Sequence, residues 1–586
     1  MINKILDIYI SSQYDFREFA YPEDEFSYLF EKWVDYYRMK YSICKAINPE
    51  RILEVGVRYG YSALAFLNAS PDAYYIGIDN DTDTFGGRTG AIEWAKKHTK
   101  NYNAEFLIKN SFDLKEFPGE KFDLIHIDGQ QDGDGTFHDL ELAIEKGVYI
   151  LVDGYFWSSE NFMATNHFIK KYKNLIEYCL TIPGYAGEML IKVKRNKINL
   201  KNCNQLKEFY DSSYFLEDCG GYDAFLKNKG RELKDIRLTT IYCLTDPLKD
   251  DKILDIGCGR GELAFSLAKN GNFVKAIDYS KESIEIAKTN FSDQTNLIFE
   301  ETEIFDLDDS EKYNKIIAAD FVEHVEQEYL EKVLKKAYKL LKDDGYFIIH
   351  TSPNKLKYLY EYKNKTKEAK KLGLYLPENP RTYYEDLMHI NEFTPARLNR
   401  TIKKYFEHTI CWVNEFPDNY GSLYTGINKD IMKRADSIFI VASKVPINKD
   451  FLKNKIYMQK LSEEPKFIKL KILDKEIKKF KKNKKTTLKL NITNNSDKKI
   501  FSKRPYPVNV SYHWIDKDDK IIVFDGLRTE INFPINPREN IEIYADVLSP
   551  NETGNYKLIV SLVQEANFWF ESVDSSCCDF IELEVY

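Results

Sequence analysis

Short apolar runs recur along the chain up to Val445 and alternate with amphipathic segments. Runs such as RILEV, YYIGI, FDLIHI and YFIIH are typical of buried strands. The segments between them place apolar residues at helical spacing. Strands that alternate with helices predict parallel, doubly wound sheets with helices on both faces.

One pattern occurs twice. RILEVGVRYGYSALAFL begins at Arg51, and KILDIGCGRGELAFSLA begins at Lys252. Each is a strand, an acidic residue, a glycine-rich turn and a helix, and each precedes a second strand that ends in an acid, Asp79 or Asp278. The two copies begin far apart, at Arg51 and Lys252, and this spacing predicts two related domains rather than a solenoid.

After Val445 the pattern changes. A Lys-rich stretch, residues 446–465, reads as a linker. From Lys466 apolar and polar residues alternate between turn signals, which predicts an antiparallel β-sandwich of about seven or eight strands. The predicted organisation is an α/β domain at 1–198, a second at 199–445 with a helical cap, the linker, and the sandwich at 466–586.

Composition narrows the class of protein. The chain has 586 residues, of which 43% are hydrophobic, and a net charge of −8. These values exclude global disorder and do not suit a nucleic-acid binder. Nine cysteines without a CxxC pair indicate reduced thiols. No apolar run is long enough for a membrane span and the N-terminus does not look like a signal peptide, so we expect a cytoplasmic protein.

The second glycine-rich turn carries the clearest chemistry. Gly257, Gly259 and Gly261 allow a sharp turn and a close approach to a ligand. Asp255 suits an ammonium group rather than a pyrophosphate. Asp278 can accept hydrogen bonds from two ribose hydroxyls. The glycines alone would fit any nucleotide.

In this context, residues 252–354 resemble class I S-adenosylmethionine-dependent methyltransferases. The resemblance implies two Rossmann-like domains with doubly wound sheets, since the motif is repeated. It also implies that S-adenosyl-L-methionine is the cofactor. Glu303 would stand on the adenine side, with Glu301 as the alternative. The resemblance places the methionine end at Asp255, Gly257, Gly259 and Gly261, the ribose at Asp278, and Asp320 and Phe321 beside the cofactor.

Further on, RTYYEDLMHINEFTP resembles a segment of methyltransferases encoded with bacterial surface-polysaccharide genes, and CGGYDAFL resembles their cap. The implied partner is a saccharide or glycan precursor that is methylated on a hydroxyl. Such a hydroxyl benefits from a general base. His324, His350 and His389 are candidates, and His389 is preferred because it follows the core sheet. The alternative is that these histidines only pack.

The first glycine-rich turn is looser. Glu54, Gly56 and Gly60 correspond to the acid and glycines, Asp79 to the ribose acid, and Ser111 lies at the adenine-side turn. The region 51–157 resembles methyltransferases with an IDG turn, including metal-dependent O-methyltransferases and proteins like cephalosporin hydroxylase.

That second resemblance implies Mg²⁺ held by Asp128 and Asp153. However, Gly154 stands where an Asn ligand is expected, so one ligand is missing. Asp132 and Asp134 offer replacement carboxylates. The alternative, which we slightly favour, is that Asp128 and Asp153 only end parallel strands and that no metal binds.

Four questions stay open. Only the second domain could be catalytic, with the first domain and the sandwich as a glycan- or partner-binding scaffold. The substrate could instead be a small metabolite, and the chain could form homo-oligomers. Aromatic residues of the sandwich are either core or a sugar-stacking surface: Tyr512, His513, Trp514, Phe568, Trp569 and Phe570.

Overall fold

The computed structural model describes residues 1–84, 86–194, 214–218, 220–269, 271–415, 420–462 and 468–586. The chain divides into two compact units, Met1–Asn202 with Glu361–Leu387, and Cys203–Tyr360 with Met388–Tyr586. The domain boundary predicted at 198/199 lies outside the described residues. No helix in the described ranges has the length and apolar character that crossing a membrane requires.

The first unit contains a seven-stranded sheet with the order β3-β2-β1-β4-β5-β7-β6. Strands β1 to β5 are parallel, as predicted. Strand β7 runs antiparallel to β5 and β6, so the sheet is mixed rather than wholly parallel, because a short loop joins β6 to β7 as a hairpin. The strands are β1 Arg51–Val55, β2 Tyr74–Asp79, β3 Ala104–Ile108, β4 Phe122–Ile127, β5 Gly147–Val152, β6 Ile176–Ile182 and β7 Glu188–Val193.

Helices cover both faces of this sheet. Ile52 packs into a core with residues of α2 and α3, whereas its neighbour Leu53 packs into a second core with residues of α5 and α6. Successive side chains of a strand point to opposite faces, so the apolar run RILEV supplies both cores. The helices are α1 Ile2–Ser11, α2 Phe30–Ile47, α3 Tyr61–Ala69, α4 Ala91–Thr99, α5 Asp134–Lys146 and α6 Ser159–Lys171.

The second unit repeats this plan. Its sheet has the order β10-β9-β8-β11-β12-β15-β13-β14, and its last strands are again antiparallel. The strands are β8 Lys252–Ile256, β9 Phe273–Asp278, β10 Leu297–Glu301, β11 Tyr313–Ala319, β12 Leu341–Thr351, β13 His408–Glu415, β14 Tyr420–Gly421 and β15 Ser437–Ser443. The helices up to residue 357 are α7 Tyr222–Asn228, α8 Ile236–Thr245, α9 Glu262–Ala268, α10 Lys281–Phe291, α11 Gln327–Leu340 and α12 Lys355–Lys357.

Residues 361–387 form an arm that belongs to the first unit, although the sequence places them inside the second domain. The arm contains α13 Lys363–Lys371 and most of α14 Tyr383–Met388. Tyr375 is buried, and its ring lies 5.9 Å from that of Phe137. Gly133 makes room for it, since a Cβ there would lie 2.8 Å from the Tyr375 ring. The arm thus packs on the first unit through Tyr375, and Ser159 adds a hydrogen bond to the carbonyl of Gly373.

The C-terminal region forms two sheets, ordered β16-β18-β22 and β17-β25-β23-β19-β20. Their strands pair antiparallel, except that the two-residue strand β17 runs parallel to β25. Buried residues of both sheets form one core. The strands are β16 Ile468–Ile472, β17 Lys479–Phe480, β18 Lys485–Asn494, β19 Val508–Asp516, β20 Ile521–Val523, β21 Thr529–Glu530, β22 Glu539–Leu548, β23 Gly554–Gln564, β24 Phe568–Trp569 and β25 Asp579–Val585.

Most of the aromatic residues that the sequence offered for sugar stacking are core residues. Tyr512, Trp514 and Phe570 are buried in the shared core. Trp569 packs against His513, with ring centroids 4.1 Å apart. The apolar residues of β19 face this core, and the polar residues between them are buried on the other face of the strand. Exposed aromatics lie elsewhere, at Phe524, Tyr544 and Phe580.

The stretch predicted as a linker is partly helical. Helix α18, Lys449–Ile456, buries Leu452 and Ile456 in the core of the second sheet. The remaining helices of this unit are α15 Pro395–Ile402, α16 Ser422–Thr425 and α17 Lys429–Arg434. Lys503 of the C-terminal region donates to Thr239 Oγ1 of α8 at 2.9 Å. The C-terminal strands thus contact the second α/β domain directly and are not joined to it by the connector alone.

Candidate functional site

The glycine loop of the second unit joins β8 to α9. Gly257, Gly259 and Gly261 all have positive φ, at 70°, 51° and 84°. A Cβ on Gly257 would lie 2.9 Å from the Phe321 ring, and one on Gly261 would lie 2.6 Å from the Phe299 ring. Both the backbone conformation and the close packing therefore require glycine.

Asp255, near the end of β8, is only 2% exposed. Burial, followed by the nearby Asp278, raises its pKa to about 7. No residue in the described part of the chain forms a hydrogen bond or ion pair with this carboxylate. A buried carboxylate without a partner is costly, and a cation next to it removes that cost. The loop therefore contains an acid that is suited to a positively charged ligand group.

Asp278 ends the neighbouring strand β9 and holds the same loop. Its Oδ2 accepts from Gly259 N at 3.0 Å, and its Oδ1 accepts from Ser280 N at 2.9 Å. Burial raises its pKa. Hydrogen bonds from the Ser283 side chain and the Tyr279 backbone act on the same carboxylate and, with those of Ser280 and Gly259, partly offset this rise.

The other residues that the sequence assigned to the cofactor lie on the strands that follow. Glu303 comes two residues after β10 and is half-buried, whereas its alternative Glu301 is exposed. Asp320 follows β11 with φ of 50°, and Phe321 packs on Gly257. These positions share the carboxyl edge of the sheet, where ligands of such folds collect.

Asp320 is engaged by two basic side chains. Its Oδ2 accepts from Arg237 Nη1 at 2.9 Å, and His350 Nδ1 lies 2.7 Å from its Oδ1. Burial alone would raise its pKa, but His350 and Arg237 hold the pKa well below its usual range. His350 is fully buried in β12. It therefore supports Asp320 from inside the sheet and is not placed to meet a substrate.

Arg260, in the glycine loop, contacts the predicted cap. Its guanidinium donates to the carbonyls of Phe215 at 2.8 Å and Gly220 at 2.7 Å. Arg260 is only 4% exposed. This tie holds residues of the predicted cap next to the glycine loop. The sequence motif contained Arg260 but gave no indication of its partners.

Two of the candidate bases come together near Asp320. The rings of His324 and His389 meet edge to face, with centroids 4.9 Å apart. Glu323 is buried beside them and accepts from Thr351 Oγ1 at 2.8 Å. Ligand-type atoms of Glu323, His324 and His389 lie within 4.8 Å of one another, a spacing that could also hold a metal ion.

The environments of these groups differ. Burial, followed by the charge of His389, lowers the pKa of His324 to about 3. Burial, followed by Asp320, raises the pKa of Glu323 to about 7. His389 Nδ1 lies 3.7 Å from Glu392 Oε1. His324 is thus a neutral, weakly basic group at pH 7, whereas His389 has the Glu392 carboxylate close to one ring nitrogen.

The glycine loop of the first unit has the same backbone conformation as that of the second unit, but an arginine side chain occupies it. Gly56 and Gly60 have positive φ, and Arg58 has φ of 50°, matching Gly259 at 51°. The Arg58 guanidinium forms two hydrogen bonds of 2.9 Å with Asp24. Arg58 therefore occupies a position where the second unit has an open glycine.

Glu54 is placed differently from the role that the sequence predicted for it. Its carboxylate accepts from the hydroxyls of Ser62 and Tyr75, and His126 Nδ1 lies 2.8 Å from its Oε1. The residue is 0% exposed. These internal partners use the acceptor capacity that Asp255 keeps available in the second unit. Nothing in the sequence pattern distinguishes the two acids.

Asp79 and Ser111 also bind within the unit. Asp79 Oδ2 accepts from the backbone N–H groups of Val57 and Arg58 at 2.7 and 2.8 Å, and its Oδ1 accepts from Asp81 N at 2.7 Å. Ser111 donates to Asp139 at 3.1 Å. Asp79 stands at the end of β2 and, like Asp278 in the second unit, holds the backbone of its own glycine loop.

Asp128 and Asp153 lie together at the ends of β4 and β5, as predicted. Gln131 Nε2 donates to both, at 3.1 and 3.2 Å. The Lys40 ammonium lies 2.7 Å from Asp153 Oδ1. Burial by itself would lower the pKa of Lys40, but Asp153 and Glu188 raise it above the usual lysine value. A fixed cation already accompanies the carboxylates, so the pair does not fit the predicted Mg²⁺.

Comparison with known proteins agrees with this geometry. Two family models match the chain, and both are described as a methyltransferase domain. One matches residues 247–401 and the other residues 53–155. Two separate segments of the chain therefore match methyltransferase domains. Lys40 and the C-terminal strands lie outside both matched segments.

Similar proteins match only parts of the chain. A ubiquinone biosynthesis O-methyltransferase of Pelagibacter ubique (strain HTCC1062) is 37% identical over 114 residues, 19% of this chain and 46% of that protein. A protein of the same name from Vibrio vulnificus (strain YJ016) is 29% identical over 161 residues, 27% of this chain and 66% of that protein. The chain spans about half to two thirds of these relatives.

Among solved structures, a magnesium protoporphyrin IX methyltransferase from Synechocystis is 14% identical with a TM-score of 0.28. The match covers 41% of this chain and 100% of that one.

Proposed function

We propose that the chain is an S-adenosylmethionine-dependent methyltransferase and that the second domain carries the activity. The observation that carries this proposal is Asp255, a buried carboxylate that has no partner among the described residues and lies beside three glycines of positive φ. An amino-acid ammonium would satisfy it. Asp278 would accept from the ribose hydroxyls, and Glu303 would stand on the adenine side.

The cofactor, when bound, supplies a methyl group on a sulfonium, and the domain's own groups align the acceptor and move one proton. We propose that a ring nitrogen of His389 takes the proton of the acceptor hydroxyl. The Glu392 carboxylate, 3.7 Å from His389 Nδ1, would lie next to the positive charge that the ring gains in this step. His324 would pack the ring of His389 in place. Alignment of the acceptor oxygen supplies most of the remaining rate enhancement.

The acceptor we propose is a sugar hydroxyl of a surface-polysaccharide or glycoconjugate precursor. The support is the resemblance of the segment around His389 to methyltransferases of that setting. The printed name of the curated relatives, ubiquinone biosynthesis O-methyltransferase, favours a small-metabolite hydroxyl as the alternative.

One experiment tests the activity and separates these acceptors. The full chain is incubated with methyl-labelled S-adenosylmethionine and a matched panel of nucleotide sugars, glycan oligomers and small phenols. Labelled product from a sugar that is lost in His389→Asn supports the first acceptor class. Labelled phenol alone supports the alternative. A chain that binds no S-adenosylmethionine contradicts the proposal as a whole.

A second candidate is that only this domain binds the cofactor, while the first domain is a scaffold. Glu54 is satisfied by internal partners and Arg58 fills the position of Gly259, which supports this view. Calorimetry with the full chain tests it. We expect one S-adenosylmethionine per chain, bound more weakly in Asp255→Asn. Two equivalents, or one equivalent that Asp255→Asn binds as tightly as wild type, would show that the first domain binds as well.

A further inference from the structure

A buried lysine stands among the acids of the first domain. Lys40, in α2, is 0% exposed. Its Nζ lies 2.7 Å from Asp153 Oδ1, 2.9 Å from His126 Nε2 and 3.1 Å from Glu188 Oε1. These partners come from β4, the residue after β5, and the start of β7. One ammonium therefore joins three strands at the carboxyl edge of the sheet.

This position coincides with the group of side chains best suited to a metal in this domain. His126, Asp128 and Asp153 have ligand-type atoms within 4.8 Å of one another. The Lys40 ammonium contacts two of those three residues directly. A divalent cation bound there would have to approach a fixed positive charge within a few ångströms, which is strongly unfavourable inside a protein.

The direction of the hydrogen bonds is also fixed. An ammonium has three donors and no acceptor, so His126 Nε2 must accept from it. The proton of the neutral ring is then on Nδ1, where it is donated to Glu54 Oε1 at 2.8 Å. The ammonium donates to Asp153 and His126 and forms an ion pair with Glu188, whose carboxylate oxygens have no hydrogen-bond partner among the described residues. The chain itself therefore supplies the positive charge next to these acids.

We infer that the Lys40 ammonium takes the place of a divalent cation in the first domain. It neutralises the acids at the edge of the sheet and holds His126 in one tautomer. Gly154, which lacks a side-chain oxygen, fits this arrangement, because no further ligand is needed. The inference does not depend on which domain transfers a methyl group.

Manganese binding to the full chain tests this inference without an activity assay. Mn²⁺ is titrated while free Mn²⁺ is measured by electron paramagnetic resonance, and thermal unfolding is followed in parallel. We expect Lys40→Ala to gain a Mn²⁺ site that wild type lacks, with a Mn²⁺-dependent rise in melting temperature. Lys40→Arg, which keeps the charge, should gain none. The double variant Lys40→Ala/Asp153→Asn should lose the new site.

Two outcomes would overturn the inference. One is Mn²⁺ binding by wild type that Asp153→Asn abolishes. The other is a folded Lys40→Ala that gains no site. Binding by wild type that Asp153→Asn leaves unchanged supports the inference, since the ion then sits elsewhere. If Lys40→Ala does not fold, nitrogen-15 spectra of wild-type histidines decide, with His126→Gln for assignment, because an Nε2–H tautomer of His126 contradicts the inference.

Discussion

Asp255, whose carboxylate has no partner among the described residues, allows a quantitative prediction of how ligand binding depends on pH. Its pKa is raised to about 7 by burial and by Asp278. In the free protein the side chain is therefore largely protonated below pH 7 and ionised above it. An ammonium group pairs with the ionised form only. Affinity for S-adenosylhomocysteine, which has this ammonium but cannot react, should therefore rise with pH.

The size of the effect follows from the ionised fraction. With a pKa of about 7, about 9% of Asp255 is ionised at pH 6 and about 91% at pH 8. The affinity should rise about tenfold between these values, or about 1.4 kcal/mol. Binding should release about half a proton at pH 7 and about 0.9 proton at pH 6, since the bound carboxylate is fully ionised.

Calorimetry of the full chain in buffers of different ionisation enthalpy measures both quantities. Asp255→Asn is the matched control. It should bind more weakly and lose the proton release. A wild-type affinity that does not change between pH 6 and 8, or proton release that persists in Asp255→Asn, would refute the reasoning. Asp255→Asn should also raise the melting temperature of the free protein at pH 8 but not at pH 5, where the buried acid is already neutral.

Further variants test the other contacts. Asp278→Ala should weaken cofactor binding at least about tenfold by calorimetry, since hydrogen bonds to charged groups are worth about 1.5–3 kcal/mol. His389→Asn should lower kcat about 10²- to 10⁴-fold with little change in KM, and His324→Gln should lower it less. Glu54→Gln should lower the melting temperature and leave the number of bound cofactors unchanged. Tyr375→Ala should cost about 3 kcal/mol in urea unfolding, because it empties the space beside Gly133.

The sequence predicted the sheets well where apolar runs were long. The five parallel strands of each α/β domain and the C-terminal antiparallel strands follow from local periodicity. It did not predict the antiparallel strands at the edges of the two sheets. An apolar run indicates a buried strand but not whether that strand pairs parallel or antiparallel with its neighbour. The sequence also predicted a linker at residues 446–465, since the Lys-rich composition hid the apolar face of α18.

The sequence by itself determined the positions of the chemistry. Glycines of positive φ after a strand and acids at strand ends are local features, so Gly257, Asp255 and Asp278 could be placed from the motif. Tertiary structure alone decided which acids remain available. Glu54 and Asp255 occupy equivalent positions, yet Glu54 meets His126 and Tyr75 while Asp255 meets no described partner.

Lys40 shows why this could not be read from the chain. It lies 86 residues from His126 and 113 from Asp153 in sequence. A lysine on an amphipathic helix is ordinarily a solvated side chain. Only the packing of α2 against the edge of the sheet removes water from Lys40 and turns it into a partner for buried acids. Local sequence fixes which groups are present, and long-range packing fixes which of them neutralise one another.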